Sequence, residues 1–191
     1  AAIGFAQTQA VQKVAKEFPN VKFVLIDGQA AGSNVNSVVF KEEEGSYLVG
    51  VAAAMASKSK KVGFIGGIDI PLIRNFACGY AQGAKAVNPK MEITQNMVGT
   101  TSGAWNDPAK GGELARSQFE RGVDVVFAVA GGSGMGTLQM AKEKGKLAIG
   151  VDSNQNHLYP GSILTSMVKR VDNTVYDSFM QVKNGTWKGG V

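Results

Sequence analysis

The sequence predicts an α/β protein with parallel strands arranged in two lobes, and three observations carry that prediction. Short apolar runs alternate with longer segments of helical periodicity along the chain. Two of those runs, residues 21–26 (VKFVLI) and 123–130 (VDVVFAVA), are apolar enough to be buried on both faces of a sheet. The strand–helix pattern also runs twice, with an extra strand-like segment, residues 35–40, between the two passes.

Residues 2–5 open abruptly as a strand. Val11, Val14, Ala15 and Phe18 then share one helical face, and Pro19-Asn20 closes that segment. The strand at 21–26 ends at Asp27-Gly28, and a loop with Gly32 and Ser33 leads to the strand at 35–40. Residues 42–57 are Ala-rich, with Tyr47, Leu48, Val51 and Met55 on one face. They read as a helix whose acidic first turn, Glu42 to Glu44, suits the positive end of the dipole.

The second pass begins with a strand at 62–65 ending in Gly66-Gly67. Asp69 and Pro71 open a helix carrying Leu72, Ile73, Phe76 and Tyr80. A strand at 92–98 follows, and Asp107-Pro108 opens a helix that closes at Gly122. After the strand at 123–130, residues 131–136 read as a glycine-rich turn and 137–144 as a helix. Strands at 146–151, ending at Asp152, and at 163–168 come next. Val171, Val175, Phe179 and Val182 mark a final helix.

The first pass has only two strands before the connecting one, whereas a doubly wound sheet usually has about five. The chain also starts inside a strand, so the natural protein is expected to extend further at its N-terminus.

Composition narrows the function. The chain has 191 residues, 44% of them apolar, and its 25 glycines, about twice the usual share, point to many tight turns. One Cys excludes a disulfide framework within the chain, and one Cys with one His excludes a zinc finger. No apolar run approaches the roughly 20 residues that span a bilayer. The net charge is +5, yet the densest basic cluster is only Lys58, Lys60 and Lys61. No basic stripe with interleaved aromatics marks a nucleic-acid partner.

Catalysis finds little support. The run from Gly131 to Met135 fails the nucleophile-elbow pattern at its last position, and no P-loop occurs. His157 reads as a solvated loop residue, and Cys78, beside Phe76 and Tyr80, as a packing residue. The glycines from Gly131 to Gly136 follow a strand, with Asp152 about twenty residues on, so a nicotinamide-cofactor site of an oxidoreductase is one alternative. Their spacing does not spell the dinucleotide fingerprint. In an open parallel sheet, ligands sit beyond the carboxyl ends of the strands. The sequence places Phe5 to Gln9, Asp27, Gly66 to Asp69, Gly99 to Trp105, Gly131 to Gly134 and Asp152 there. An aromatic plate, a carboxylate and bare backbone suit reversible binding of a small, polar, ring-bearing molecule better than turnover.

Six runs carry a resemblance: SVVFKEEEGSYLVG from Ser37, KVGFIGGIDIPLIRNF from Lys61, WNDPAKG from Trp105, DVVFAVAGGSGMG from Asp124, IGVDSNQ from Ile149 and LTSMVKRVD from Leu164. Together they resemble the basic membrane protein family, substrate-binding lipoproteins of bacterial ABC importers related to the purine nucleoside receptor. The resemblance implies a type I periplasmic-binding-protein fold, with two doubly wound lobes, a hinge and a nucleoside closed between them. On that pattern, residues 1–40 and 154–191 form the first lobe, its N-terminal part missing, and residues 41–153 form the second. It implies a non-enzymatic, extracytoplasmic protein without metal or cofactor. Its partners would be a purine nucleoside and the importer's permease subunits, with membrane attachment only through a lipid anchor outside this chain.

The resemblance also implies site roles. Trp105 stands where the family stacks an aromatic on the purine; a Trp packed on its helix's first turn is the other reading. Asp152 stands where the family grips the ribose hydroxyls, and a plain turn carboxylate is its alternative. Lys169 stands where a lysine reaches the sugar, against a plain surface lysine. A buried Asp152 beside Lys169 would remain charged, each offsetting the other's desolvation. Gly131 matches a backbone contact. Gln9 falls where the family has an aspartate reading the purine edge, and its amide favours adenosine over guanosine and inosine. A sugar binder of the same fold, stacking a pyranose on Trp105, is a further alternative.

Overall fold

The computed structural model describes residues 1–190; residue 191, the end of the expected first lobe, lies outside the described residues. The chain runs through β1 (Ala2–Ile3), a 3-10 turn (Phe5–Gln7), α1 (Thr8–Glu17), β2 (Phe23–Ile26), β3 (Val35–Val38), α2 (Glu42–Ala56), β4 (Lys61–Gly66) and α3 (Pro71–Val87). It continues through β5 (Glu92–Met97), a second 3-10 turn (Ser102–Trp105), α4 (Pro108–Glu120), β6 (Val125–Val129) and α5 (Gly132–Glu143). Then come β7 (Leu147–Asp152), β8 (Ile163–Val168) and α6 (Val171–Lys183). One sheet has the order β1-β2-β3 and the other β5-β4-β6-β7-β8. Every pairing between these strands is parallel.

The chain divides into two compact units, Ala1–Phe40 with the segment from Arg170 onward, and Lys41–Lys169. This corrects the expected second boundary. Residues 154–169, assigned to the first lobe, belong to the second unit, because β8 pairs with β7 as far as Asp152↔Val168. Near its end the chain returns to the first sheet. Gly190 bridges Asn36, accepts a hydrogen bond from Ser37 N at 2.6 Å and donates one to Val35 O at 2.8 Å.

In the first unit, the strand expected at 2–5 stops at Ile3, because Gly4 at φ +103 turns the chain into the 3-10 segment. Val11 and Ala15, one helical turn apart on α1, pack with Leu25, Ala30 and Val35. Asn34 Nδ2 reaches the carbonyls of Ala15, Phe18 and Val21 and so closes the end of α1.

In the second unit, β6 is buried along its whole length, as its apolar run requires. Its side chains alternate between two cores. Val125, Phe127 and Val129 join Phe64, Phe76 and Tyr80 in one cluster, while Val126 and Ala128 join Ala115, Phe119 and Leu138 in the other. The Phe127 ring centroid lies 5.4 Å from that of Tyr80 and 5.9 Å from that of Phe64. Burial pushes the Tyr80 phenol well above its ordinary range, with the Asp124 charge adding to it.

Glycine serves turns less exclusively than expected. A side chain at Gly83 would collide with the Tyr47 carbonyl, and one at Gly50 with that of Tyr80, so these glycines let α2 and α3 approach backbone to backbone. Gly111 and Gly136 do the same for α4 and α5, against the carbonyls of Ser133 and Pro108. The expected turn at 131–136 is therefore helix from Gly132 onward: Gly131, at φ +55, makes the turn, and Gly136 sits under α4. Cys78 is exposed rather than packed, and its sulfur accepts a hydrogen bond from Gln82 Nε2 at 3.1 Å.

Candidate functional site

The second sheet reverses its winding between β4 and β6, since β5 pairs outside β4 while β6, β7 and β8 follow on the other side. In such sheets the crevice beyond the carboxyl ends at the switch point is where ligands bind. The chain after β4 supplies Gly67, the chain after β5 supplies Trp105, and Gly131 follows β6. Asp152 ends β7, and Lys169 follows β8. Four of the five residues expected at the site thus belong to one edge of one sheet.

Trp105 and Gly131 are brought together directly. The benzo ring of the indole lies against the Gly67 backbone, where any side chain would strike it, and a side chain at Gly131 would crowd the Trp105 carbonyl. The indole is half-buried and packs on the Phe64–Phe127 core. Ser133 anchors its loop: the hydroxyl donates to Ala104 O at 2.8 Å and accepts from Asp107 N at 2.7 Å. Asp107 in turn caps α4 by accepting from Lys110 N at 2.9 Å, and Pro108 follows at the first helical position. The glycines of α5 pack on the protein itself: Gly132 against this loop, Gly134 against Ala128 of β6 and Gly136 against α4.

Asp152 departs from expectation, being exposed rather than buried. It takes φ +66 at the strand end, a region sparsely populated for residues other than glycine, asparagine and aspartate. Its carbonyl accepts from Lys169 N at 2.9 Å, which sets the two residues side by side at the ends of neighbouring strands. Lys169 is not a surface lysine. Its side chain is 3% exposed, with Nζ 3.2 Å from Glu42 Oε1 and 5.6 Å from the centre of the Phe76 ring.

Sequence reasoning missed Glu42 as a buried partner, assigning it with Glu43 and Glu44 to an acidic first turn that complements the helix dipole. A signal was present: Glu42, Ser46, Val49 and Ala53 recur at helical spacing, and all four are buried. Gly67 was expected at this edge, within Gly66 to Asp69, but not as the seat of the indole. Gln9 lies exposed on α1, in the first unit.

Among the described residues, no group of three or more His, Cys, Asp or Glu is placed to hold a metal ion. No described helix is long and apolar enough to cross a membrane.

Comparison with known proteins bears on this edge. The family model for PnrA-like ABC transporter substrate-binding proteins matches residues 1–191. The CD4+ T-cell-stimulating antigen of Listeria monocytogenes is 37% identical, the match covering 98% of this chain and 56% of that protein. The ABC transporter nucleoside-binding protein BmpA of Lactococcus lactis is 36% identical, over 98% of this chain and 58% of the relative. Among solved structures, an ABC transporter solute-binding protein from Aeropyrum pernix superposes with a TM-score of 0.88 at 31% identity, covering 98% of this chain and 55% of that one. The chain belongs to the PnrA-like family of ABC transporter substrate-binding proteins and has their α/β periplasmic-binding-protein fold. It spans a little over half the length of these relatives.

Proposed function

We propose that this chain carries the ligand-binding edge of an extracytoplasmic receptor that captures a purine nucleoside and delivers it to the membrane subunits of an ABC importer. A lipid anchor outside this chain would hold the receptor at the membrane. The observation that carries the reading is the half-buried indole of Trp105, seated on glycine backbone at the switch point, with Asp152 ending β7 and Lys169 following β8 at the same edge of the sheet. A purine stacks on such a plate, and stacking of a base on an aromatic contributes about 1–3 kcal/mol. The Asp152 carboxylate accepts from two vicinal hydroxyls of a ribose, and the Lys169 ammonium donates to the same sugar. The Gly131 N–H is a backbone donor beside the ring. These groups bind and orient without a nucleophile–base pair, which suits capture and release. Membership of the PnrA-like family and likeness to the nucleoside-binding protein BmpA of Lactococcus lactis support the nucleoside class.

Calorimetric titration with adenosine, guanosine, inosine, adenine and ribose tests this. Nucleosides should bind more tightly than the free base, and ribose alone only weakly. Trp105→Ala should lower nucleoside affinity by about 1–3 kcal/mol. Asp152→Ala should cost about 1.5–3 kcal/mol, the range for a hydrogen bond to a charged group. Tighter binding of guanosine than adenosine would remove Gln9 as the reader of the purine edge. Absence of nucleoside binding, or unchanged affinity in the Trp105→Ala protein, would overturn the proposal.

A further inference from the structure

The second unit begins at Lys41 and ends at Lys169, and the buried pair Glu42–Lys169 joins those two ends. Both side chains are almost wholly removed from solvent, at 2% and 3% exposure. Taking two such charges out of water costs several kcal/mol for each ion, and each charge offsets part of the other's cost. Nζ lies 3.2 Å from Glu42 Oε1, so Glu42 supplies a counter-charge beside the ammonium. The Phe76 ring on α3, 5.6 Å away, supports the same cation from another element. Glu43 and Glu44, on the same turn, are exposed, so the burial belongs to Glu42 alone.

We infer that Glu42 is a positioning residue: it holds the Lys169 ammonium charged and in place at the carboxyl edge of the sheet, so that Lys169 can donate to the sugar of a bound nucleoside. The inference rests on the nucleoside reading above for the identity of the ligand, but not for the Glu42–Lys169 contact. Without Glu42 the buried ammonium loses a counter-charge that offsets its desolvation, and the side chain shifts toward solvent.

The test uses Glu42→Gln, which keeps shape and removes charge, with two readouts. On the ligand-free protein, acylation of Lys169 by an amine-reactive ester, followed by peptide mass spectrometry, should rise by about tenfold or more over the unsubstituted protein as the side chain becomes accessible. In titrations, adenosine affinity should fall about tenfold or more while adenine affinity, which depends on stacking, stays unchanged. In a Lys169→Met background the same substitution should alter adenosine affinity by less than about twofold. If Glu42→Gln alone fails to fold, Glu42→Gln/Lys169→Met removes both buried charges and is compared with Lys169→Met.

Equal losses for adenosine and adenine would reduce Glu42 to a structural role and overturn the inference. Unchanged acylation of Lys169 would overturn it as well. If the unsubstituted protein binds no nucleoside, the functional reading falls, and the acylation result alone decides whether Glu42 holds Lys169.

Discussion

The two units use the same parallel strand–helix repeat, but they bury it to different depths. In the second unit, β6 is covered on both faces, and helix pairs joined through glycine press onto each side of the sheet. In the first, the buried cluster comprises Val11, Ala15, Leu25, Ala30 and Val35, while Ile3, Phe18, Tyr176 and Phe179 stay more than half exposed. The comparison teaches where rigidity is available. A binding edge needs side chains locked by the packing beneath them, and Trp105, Gly131 and Lys169 each rest on the doubly covered sheet or its buried partners.

The largest test of this contrast removes one large side chain from each core. Phe127→Ala takes out the ring that meets Phe64, Phe76 and Tyr80, and should cost about 3–5 kcal/mol in urea unfolding. Leu25→Ala, equally buried but in the smaller cluster, should cost about 2–3 kcal/mol. Hydrogen exchange distinguishes the units further. Leu25→Ala should accelerate exchange in β1 to β3 and leave β4 and β6 protected. Equal acceleration in both sheets would break the comparison.

A smaller effect sharpens it. Gly83→Ala and Gly136→Ala each put a methyl against a backbone carbonyl that has no rotamer to escape into, and should cost about 1–3 kcal/mol. Gly145→Ala meets no neighbouring atom and bears only the strain of φ +60, about 1 kcal/mol. Thermal unfolding of the three proteins should rank them in that order. If Gly145→Ala were the most damaging, close helix approach would not be what holds the second unit together.

The order of elements was legible because periodicity and strand-ending glycines are local signals. The positions of Trp105, Gly131, Asp152 and Lys169 at strand ends followed from the same pattern, joined to a resemblance in motif. What the sequence concealed was non-local. The run from Gly131 to Gly136 reads as a turn until the Trp105 loop, β6 and α4 are known to pack against its glycines, since the same lack of Cβ serves a bend or a close contact. The boundary after Lys169 depends on β8 choosing β7 as its neighbour, and no residue in β8 announces that choice. Glu42 looked like one of three acidic residues at a helix start. Only its register with Ser46, Val49 and Ala53 sets it apart.

The smallest expected effect lies on the surface, where the two units should behave alike. Arg74 in the second unit and Arg170 in the first each make a two-pronged contact with a neighbouring carboxylate, Asp69 and Asp172. Hydrogen bonds from the arginines hold both carboxyls below the usual aspartate range. A depressed folded-state value means that each pair contributes above the carboxyl's unfolded value, and that the contribution is lost as pH falls through the folded one. All four side chains are exposed, so water and salt screen the interaction. Carboxyl titration by NMR should show both midpoints low. Arg74→Gln should return Asp69 toward its ordinary value without moving Asp172, and thermal unfolding at neutral pH should scarcely change in Arg74→Gln or Arg170→Gln. A drop of several degrees confined to one of them would mean that surface pairing, and not depth of burial, distinguishes the two units.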